Sequence, residues 1–383
     1  MATKKKKKII ILYSTGGLGH KKAADAIFDA FGKRKKDAAV EMIDVIEYAN
    51  RFYKFIYKDF YVFLMSKGKL FWGFLYYFSN LAFMDALTRK IRQIIDLRSL
   101  GGLKDMLVQK APDAIVTTHF LLPSIAGVLK KDKTFHARLY TVITDYGPHA
   151  FWLTKYMDKF FVGTESVIRE MKKRKIPESK ISATGIPAMK EFSKKFSVSR
   201  LQKEYGLDKK RKTVLVLSGG FGVGPLEKIL FSLNACTADI QVITVCGHNK
   251  AAYNDINAIR DKLNYPVILF GFTDEVAQLM SVSDLIITKA GGISVTEALD
   301  SSLPMILFAS IPGQETWNEN LLLDAGAAEK AHSVKEIPVI ANRILLSEDV
   351  YEALKEGIEK VRKPDAAGRI VDIVLEEIKE AGK

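Results

Sequence analysis

A glycine-rich turn that ends in a histidine is the first feature of this 383-residue sequence that suggests chemistry. The turn, Ser14–His20, follows the apolar run Ile9–Tyr13 and leads into a helical pattern. A helix N-terminus beside Lys21 and Lys22 disfavours imidazolium, so we expect the ring of His20 to stay neutral. A neutral imidazole can act as a general base. Capping the helix or hydrogen-bonding a phosphate is the alternative role.

Three loops in the second half of the chain have the composition of nucleotide- and sugar-binding sites. The run Gly219–Pro225 holds four glycines, which let a diphosphate approach the backbone amides closely. The run Thr288–Ala298 contains a Gly-Gly turn before a helix, on whose first turns Glu297 is suited to bind a ribose diol. The run Pro312–Asn318 supplies Gln, Glu and Asn side chains, which read sugar hydroxyls. Because each loop follows a predicted strand, the three together indicate a nucleotide-sugar site.

The elements that must position these loops alternate between β-branched runs and helical patterns, which predicts an α/β fold with mostly parallel strands. Two series of strands are predicted, separated by a polar linker at Pro187 to Lys212. Two doubly wound domains would then face a cleft, with ligands beyond the carboxyl ends of the strands. The predicted strands are Lys8–Ser14, Ala39–Asp44, Ala114–Thr117, Leu139–Ile143 and Lys159–Val162, then Thr213–Ser218, Ile240–Val245, Val267–Phe270, Leu285–Thr288 and Met305–Phe308.

Charge divides the chain in the same place. Residues 1–195 hold 37 Lys and Arg against 18 Asp and Glu, a net charge of +19, whereas residues 196–383 hold 21 against 26, a net charge of −5. A basic half of this kind expects a polyanion, either nucleic acid or an anionic membrane surface. A generally basic, solvated surface is the alternative.

The distribution of aromatic residues favours a membrane surface over nucleic acid as the partner of the basic half. Of 39 aromatic residues, 14 fall between Phe52 and Phe83, interleaved with lysines and an arginine. An amphipathic helix with basic flanks suits the membrane–water interface. A helix–helix core or a dimer contact is the alternative. Binding of single-stranded nucleic acid is less favoured, because its aromatic platform is usually a sheet and this segment has a helical pattern. On a helical wheel one face carries Leu70, Phe71, Phe74, Leu75, Phe78, Leu81 and Ala82, and the other carries Trp72, Tyr76, Tyr77, Ser79 and Asn80.

Composition argues against several classes of protein. Cys236 and Cys246 are too few for a disulfide scaffold, which favours a reducing, cytoplasmic compartment. The apolar run after the N-terminal lysines is too short for a signal peptide. No uncharged run reaches the roughly 18 residues that a spanning helix needs, and the most suspicious one, Leu70 to Met84, has 15. We therefore expect a protein that lies on a membrane without crossing it.

Taken together, the motifs resemble those of the diacylglycerol glycosyltransferases, that is, plant-type monogalactosyldiacylglycerol synthases and bacterial processive diacylglycerol glucosyltransferases. The resemblance covers about residues 8 to 330. Gly16–His20 is similar to the family's acceptor-side loop, Thr144–Trp152 to its Thr-Asp-x-x-x-His-x-x-Trp signature, and Thr184–Pro187 to its Gly-Ile-Pro motif. Lys289–Glu297 and Pro312–Asn318 are similar to its donor-site signatures.

The resemblance implies a GT-B fold, in which two Rossmann-like domains face a cleft. Residues 1–195 would bind the acceptor and the membrane, with an aromatic and basic insert at 51–98. Residues 196–363 would bind the UDP-sugar, and residues 364–383 would form a helix that crosses back to the first domain. The implied reaction is an inverting, metal-independent transfer of a hexose to the hydroxyl of diacylglycerol. It would occur at the cytoplasmic face of the membrane, with no nucleic-acid partner and the oligomeric state left open.

The resemblance also implies roles for individual residues. His20 would be the base, with Asp145 beside it in the catalytic set. Glu297 would bind the ribose and Phe272 would read uracil through its backbone. The donor-binding set is Gly17, Gly19, Gly219, Gly220, Phe221, Gly222, Phe272, Thr273, Lys289, Gly291, Gly292, Ile293, Ser294, Glu297, Gln314, Glu315 and Asn318. The acceptor and membrane set is His149, Trp152, Phe71, Trp72, Phe74, Tyr76 and Tyr77.

Three rival interpretations stay open. One is the transferase that adds N-acetylglucosamine to a lipid-linked peptidoglycan precursor, although that enzyme typically has a His/Arg-Gln-Gln run where this chain has Gly313–Glu315. Another is a UDP-sugar epimerase, which has no reason for a basic, aromatic face. The third is a non-catalytic membrane- or nucleic-acid-binding protein with a relic nucleotide pocket. The unusual spacer Tyr146–Pro148 also leaves lipid alcohols other than diacylglycerol open.

Overall fold

A computed structural model of the protein describes residues 6–34, 38–55, 68–80, 94–96, 98–220, 222, 224–313 and 315–380. The chain divides into two compact units, of which the first comprises residues 1–189 and 365–383 and the second residues 190–364. Each unit is built around its own sheet of parallel strands. Among the described residues, no helix is both long enough and apolar enough to cross a membrane.

The strands of the first unit are β1 (Lys7–Tyr13), β2 (Ala38–Asp44), β3 (Ala114–Thr117), β4 (Arg138–Val142), β5 (Lys159–Phe161) and β6 (Ile181–Ser182). Those of the second are β7 (Lys212–Leu217), β8 (Ile240–Val245), β9 (Val267–Phe270), β10 (Leu285–Thr288), β11 (Met305–Leu307) and β12 (Ala328–Lys330).

The helices are α1 (Leu18–Gly32), α2 (Arg51–Phe55), α3 (Lys69–Asn80), α4 (Gly101–Lys110), α5 (Leu121–Leu129), α6 (Glu165–Lys173), α7 (Val198–Glu204) and α8 (Leu226–Leu233). They continue with α9 (Lys250–Ile259), α10 (Val276–Ser281), α11 (Gly292–Asp300), α12 (Thr316–Asp324), α13 (Ile337–Leu346), α14 (Glu348–Val361) and α15 (Ala366–Glu380).

The first sheet has the strand order β2-β1-β3-β4-β5-β6, and its neighbouring strands all pair in parallel. The run Ile9–Leu12 in β1 is completely buried, as expected for a strand covered by helices on both faces. The loops after β1, β3 and β4 therefore emerge at one edge of the sheet, which is where the candidate acceptor residues lie.

The last helix of the chain, α15, packs against the first, α1, in the same unit. Its apolar face, including Ile370 and Val374, joins the core cluster formed by Ile27 and Phe31 of α1. Arg34 binds both carboxylate oxygens of Asp372 at 2.7 Å. The chain thus returns to the first unit after completing the second.

The second sheet has the order β12-β11-β10-β7-β8-β9, again all parallel. Two strands absent from the sequence prediction, β6 and β12, are only two and three residues long. The predicted linker, Pro187 to Lys212, is not an irregular segment, because it contains α7 and its last residue begins β7. The loops after β7, β10 and β11 emerge at the carboxyl edge of this sheet.

Candidate functional site

His20 lies at the meeting point of three loops in the first unit. It is the third residue of α1, and Gly17 occupies the N-cap with extended backbone. Nδ1 of His20 lies 3.1 Å from Oγ1 of Thr144, which follows β4. The carbonyl oxygen of His20 accepts a hydrogen bond of 2.8 Å from the hydroxyl of Thr118, which follows β3. The main chain of His20 is therefore held by the loop after β3, and its ring is held by the loop after β4.

The imidazole of His20 is neutral at physiological pH, but the physical reason differs from the one predicted. Burial lowers the pKa of His20 from 6.5 to about 4. The sequence argument invoked the helix N-terminus and the adjacent lysines, yet Lys21 pairs with Asp25 at 2.8 Å along the same helix. The side chain of His20 does not cap α1 either. Gly17 allows the ring to lie close, because a Cβ there would stand 3.1 Å from His20 Cδ2.

A second histidine beside His20 was missed in the sequence analysis. His119 follows β3, is 3% exposed, and places its ring centroid 4.7 Å from that of His20 at an interplanar angle of 84°. Its Nδ1 accepts the backbone N–H of Leu121 at 3.3 Å. In the sequence, His119 is distinguished only by its place shortly after a predicted strand. Its importance becomes apparent only when the fold brings its ring beside that of His20.

The loop after β4 supplies the other residues of this site. Trp152 is buried, and its ring centroid lies 6.0 Å from that of His20. Asp145 is partly exposed, and its negative charge acts on the phenol of Tyr76 in α3. Burial first, and then the negative charge of Asp145, raise the pKa of the Tyr76 phenol well above its ordinary value of 10.0. The loop therefore connects the His20 site with α3.

Helix α3 docks on this loop through its polar face. Nδ1 of His149 accepts the backbone N–H of Phe151 at 3.2 Å, so Nε2 carries the proton and faces the carbonyl oxygen of Tyr76 at 3.2 Å. The rings of Tyr76 and His149 lie 4.4 Å apart. Oδ1 of Asn80 accepts from the backbone N–H of Ala150 at 3.0 Å. The polar side of this helix is thus the side that the protein covers.

The apolar side of α3 faces outward. Phe71 is 55% exposed and Phe74 is 62% exposed. Phe78, also exposed, stacks on Phe74 with ring centroids 5.8 Å apart. Tyr77 is exposed as well, whereas the side chain of Trp72 lies outside the described residues. The described part of α3 therefore carries an exposed aromatic surface formed together by Phe71, Phe74, Tyr77 and Phe78.

In the second unit, the glycine loop after β7 interlocks with the loop after β8. Gly222 has φ +60°, and a Cβ on it would stand 2.1 Å from the carbonyl oxygen of Cys246. Gly220 O accepts the backbone N–H of His248 at 3.1 Å, and Gly222 O accepts the amide of Asn249 at 3.0 Å. Packing between the two loops is therefore one reason for a glycine at position 222. The expected close approach of a diphosphate is another. Phe221 lies outside the described residues.

Lys289 stands between this glycine loop and the loop after β11. Its ammonium nitrogen lies 2.6 Å from Oε1 of buried Glu315, whose Oε2 accepts the backbone N–H of Ile311 at 2.8 Å. Lys289 Cε is also 3.4 Å from the position of a Cβ on Gly219. Gln314 lies outside the described residues. In the part of the chain that the structure describes, no group of three or more His, Cys, Asp or Glu side chains is placed to hold a metal ion.

The N-terminus of α11 is a second feature that could receive an anion. Gly291 is its N-cap, and the first turn, with Gly292, Ile293 and Ser294, leaves amide groups available to an anion. Glu297 is the sixth residue of the helix and is buried. The amide of Asn318 donates to Ala290 O at 2.8 Å, which ties α12 to this loop.

The loop after β9 presents an exposed ring. Phe272 is exposed and stacks on the imidazole of His248, with centroids 4.3 Å apart and planes inclined by 13°. Thr273 Oγ1 accepts the backbone N–H of Glu275 at 3.1 Å and so shapes the same loop. His248 was not among the predicted residues; only its stacking on Phe272 distinguishes it.

Two family models match the chain in succession. Residues 20–188 match the model of monogalactosyldiacylglycerol (MGDG) synthase, and residues 213–367 match the glycosyltransferase family 28 C-terminal domain. The chain thus carries, one after the other, the two glycosyltransferase domains that these models describe. The processive diacylglycerol beta-glucosyltransferase of Bacillus cereus (strain 03BB102) is 29% identical over 374 residues, which cover 97% of this chain and 94% of that relative. The family predicted from the motifs is confirmed.

Solved structures show that the glycosyltransferase fold extends over both units. MurG of Acinetobacter baumannii matches with a TM-score of 0.64 at 14% identity, over 97% of this chain and 99% of MurG. HepE of Anabaena, solved in complex with UDP and glucose, matches with a TM-score of 0.56 at 13% identity, over 98% and 99%. At these identities the likeness establishes the fold, and the predicted α/β GT-B fold with two Rossmann-like sheets is confirmed.

Within this glycosyltransferase the predicted residues fall into two groups. The first unit brings His20 and Trp152 together, and His149 connects their loop with α3. The second unit brings Lys289 and Glu315 together beside Gly219. His119, which was not predicted, and Thr144, which lay in a predicted motif but not among the predicted site residues, complete the surroundings of His20.

Proposed function

We propose that this glycosyltransferase moves a hexose from a UDP-sugar to the hydroxyl group of diacylglycerol, with inversion at the sugar carbon. The observation that carries the proposal is the neutral imidazole of His20, fixed by Thr144 in the unit whose helix α3 exposes an aromatic face. The similar Bacillus cereus protein is named a diacylglycerol beta-glucosyltransferase, and the Anabaena structure contains UDP and glucose.

In the proposed reaction His20 takes the proton of the acceptor hydroxyl. We assign the ring proton to Nδ1, which lies 3.1 Å from the hydroxyl oxygen of Thr144, so that the lone pair of Nε2 can accept the proton of the acceptor. The acceptor oxygen forms a bond to the anomeric carbon as the bond from that carbon to the diphosphate breaks, and UDP leaves with the electron pair. Attack opposite the leaving group inverts the sugar carbon. A base whose pKa is about 4 is available at every physiological pH.

The second unit would hold the donor. Lys289 and the amides at the start of α11 supply positive charge and hydrogen-bond donors for a diphosphate. In this assignment Glu315 contacts the sugar and also positions the ammonium group of Lys289. The N–H of Ile311 holds the carboxylate oxygen of Glu315 that does not contact Lys289, which fixes the orientation of the carboxylate. Stacked Phe272 and His248 offer a flat surface for the base, and Glu297 is assigned to the ribose.

Helix α3 would hold the enzyme on the membrane that contains its acceptor. We assign the peripheral site to the cytoplasmic, anionic leaflet, because residues 1–195 carry a net charge of +19 and the outward side chains of Phe71, Phe74 and Phe78 are apolar. Tyr76 and Asn80 anchor the other face of the helix to the loop at His149.

A donor-by-acceptor assay tests the proposal. The full chain is incubated with radiolabelled UDP-glucose, UDP-galactose, UDP-glucuronate or UDP-N-acetylglucosamine and vesicles of diacylglycerol with anionic lipid, with and without EDTA. We expect label in the lipid phase with a hexose donor, unchanged by EDTA. Tight UDP binding without lipid labelling from any donor would contradict the assigned acceptor, and loss of transfer in EDTA would contradict the metal-independent mechanism.

A further inference from the structure

His119 is a buried titratable residue that the proposed reaction does not use. The loop that carries it, between β3 and α5, holds His20 in two ways. The hydroxyl of Thr118 donates to the carbonyl oxygen of His20 at 2.8 Å, and the ring of His119 stands nearly perpendicular to that of His20 at 4.7 Å. One loop thus contacts both the main chain and the side chain of the candidate base.

The ring of His119 is itself held firmly. Its Nδ1 accepts the N–H of Leu121 at 3.3 Å, and its ring stacks on Phe120 with centroids 4.1 Å apart. The hydroxyl of Thr117 donates to His119 O at 2.8 Å and accepts the N–H of the same residue at 3.1 Å. Because side-chain and main-chain contacts both restrain it, His119 offers a rigid surface to its neighbour.

Geometry also sets the protonation state of His119. A nitrogen that accepts a backbone N–H cannot carry a proton itself, so the ring is neutral with its proton on Nε2. Burial, and secondarily the proximity of His20, lower the pKa of His119 well below 6.5, which agrees with that assignment. A neutral neighbour leaves His20 free to become the cation when it takes the acceptor proton.

We propose that His119 is a positioning residue for His20: its edge-on ring fixes the imidazole of His20 so that Nδ1 remains on Thr144 and Nε2 faces the acceptor. The inference rests on the proposed function, since it assumes that His20 is the base. A flipped imidazole would place Cδ2 where Nδ1 lies and Cε1 where Nε2 lies, so the ring would lose Thr144 and would no longer present the lone pair of Nε2 to the acceptor hydroxyl.

The alternative role of His119 is purely structural, because its Nδ1 caps the start of α5. Two substitutions separate the roles. In His119→Asn the amide oxygen stands close to the position of Nδ1 and keeps an acceptor for Leu121 N–H, but the ring is lost. In His119→Phe the ring is kept and the acceptor is lost.

Kinetics with UDP-sugar and diacylglycerol vesicles provide the first readout. For His119→Asn we expect a melting temperature within about 3 °C of wild type. We expect an unchanged KM for the UDP-sugar and a kcat lower by about 30-fold or more. His119→Phe is expected to retain kcat within about fivefold. A His119→Asn variant whose kcat lies within about threefold of wild type overturns the proposal.

The second readout does not depend on turnover. With ¹⁵N-labelled histidine, the ring nitrogens of His20 are assigned in wild type by comparison with His20→Gln. We expect a single tautomer protonated at Nδ1 in wild type, and averaged shifts of both nitrogens in His119→Asn. Identical His20 shifts in the two proteins would overturn the positioning role. Absence of turnover with every donor and acceptor would instead contradict the proposed function, so the two failures are distinguishable.

Discussion

Nδ1 of His20 and Oγ1 of Thr144, 124 residues apart in the sequence, lie 3.1 Å from each other. The contact joins the start of α1 to the loop after β4, and parallel strand pairing brings both loops to the same edge of the sheet. The contact engages Nδ1, so Nε2 is the nitrogen left to face an acceptor. The orientation of His20 therefore depends on the hydroxyl of Thr144, a residue that the Thr-Asp-x-x-x-His-x-x-Trp signature contains but to which the sequence assigned no role.

Thr144→Val removes that hydroxyl while keeping the shape of the side chain. We expect kcat to fall by about 10- to 100-fold with the KM for the UDP-sugar unchanged, because the ring of His20 loses the hydrogen-bond partner that orients it. Thr144→Ser keeps the hydroxyl and is the matched control, with kcat near wild type. Steady-state kinetics measure both. Equal losses in the two variants would contradict the role of the hydrogen bond.

The lowered pKa of His20 has a consequence for stability. Between pH 6.5 and about 4 the unfolded chain protonates this histidine and the folded chain does not. The neutral ring's contribution is therefore complete above pH 6.5 and is lost as the pH falls toward 4, by about 2 kcal/mol between pH 7 and pH 5. His20→Gln abolishes this contribution. Urea unfolding at both pH values should show a smaller pH-dependent loss in the variant, and equal losses would contradict the lowered pKa.

The exposed face of α3 predicts membrane binding. Phe71→Ser with Phe74→Ser should lower partitioning onto anionic vesicles by at least about tenfold, because each phenylalanine loses the transfer free energy of an apolar ring. Phe231→Ser is the matched control, since Phe231 is an exposed phenylalanine of the second unit. Vesicle co-sedimentation measures the difference. Unchanged partitioning of the double variant would contradict the role of this face.

Lys289 is expected to bind the donor diphosphate. Lys289→Met should weaken UDP binding by about 10- to 100-fold, because the partly buried ammonium group that would contact the diphosphate is lost. Lys330→Met is the matched control: Lys330 pairs with buried Glu319 at 2.5 Å, so the variant likewise leaves a buried carboxylate without its lysine. Titration calorimetry with UDP should separate the two. Similar affinities of both variants would contradict the assignment.

Four strands were predicted with their observed bounds. In β3, β8, β9 and β10 nearly all residues are apolar or β-branched, and Gln241 of β8 is the exception among them. β6 and β12 were missed, because their sequences, Ile-Ser and Ala-Glu-Lys, contain no run of apolar or β-branched residues. Their pairing depends on neighbouring strands rather than on their own residues.

The candidate site was predictable in part. Glycine loops and their histidine are local patterns, so His20 stood out, but His119 and Thr144 gain their roles only when β3 and β4 align beside β1. The sequence showed that α3 is amphipathic, but it did not show which face of the helix packs against the protein. That choice depends on the hydrogen bonds of His149 and Asn80, which join residues distant in the sequence. Likewise, the crowding of Gly222 by Cys246 is a tertiary property.

The transfer rate of His20→Gln relative to wild type decides whether His20 is the base of a lipid glycosyltransferase. Both proteins are incubated with diacylglycerol vesicles and the radiolabelled UDP-hexose that wild type uses, and UDP affinity is measured in parallel. We predict that lipid labelling falls by about 1,000-fold or more while UDP affinity stays within about threefold. Near wild-type labelling by His20→Gln would contradict the role of His20 as the base.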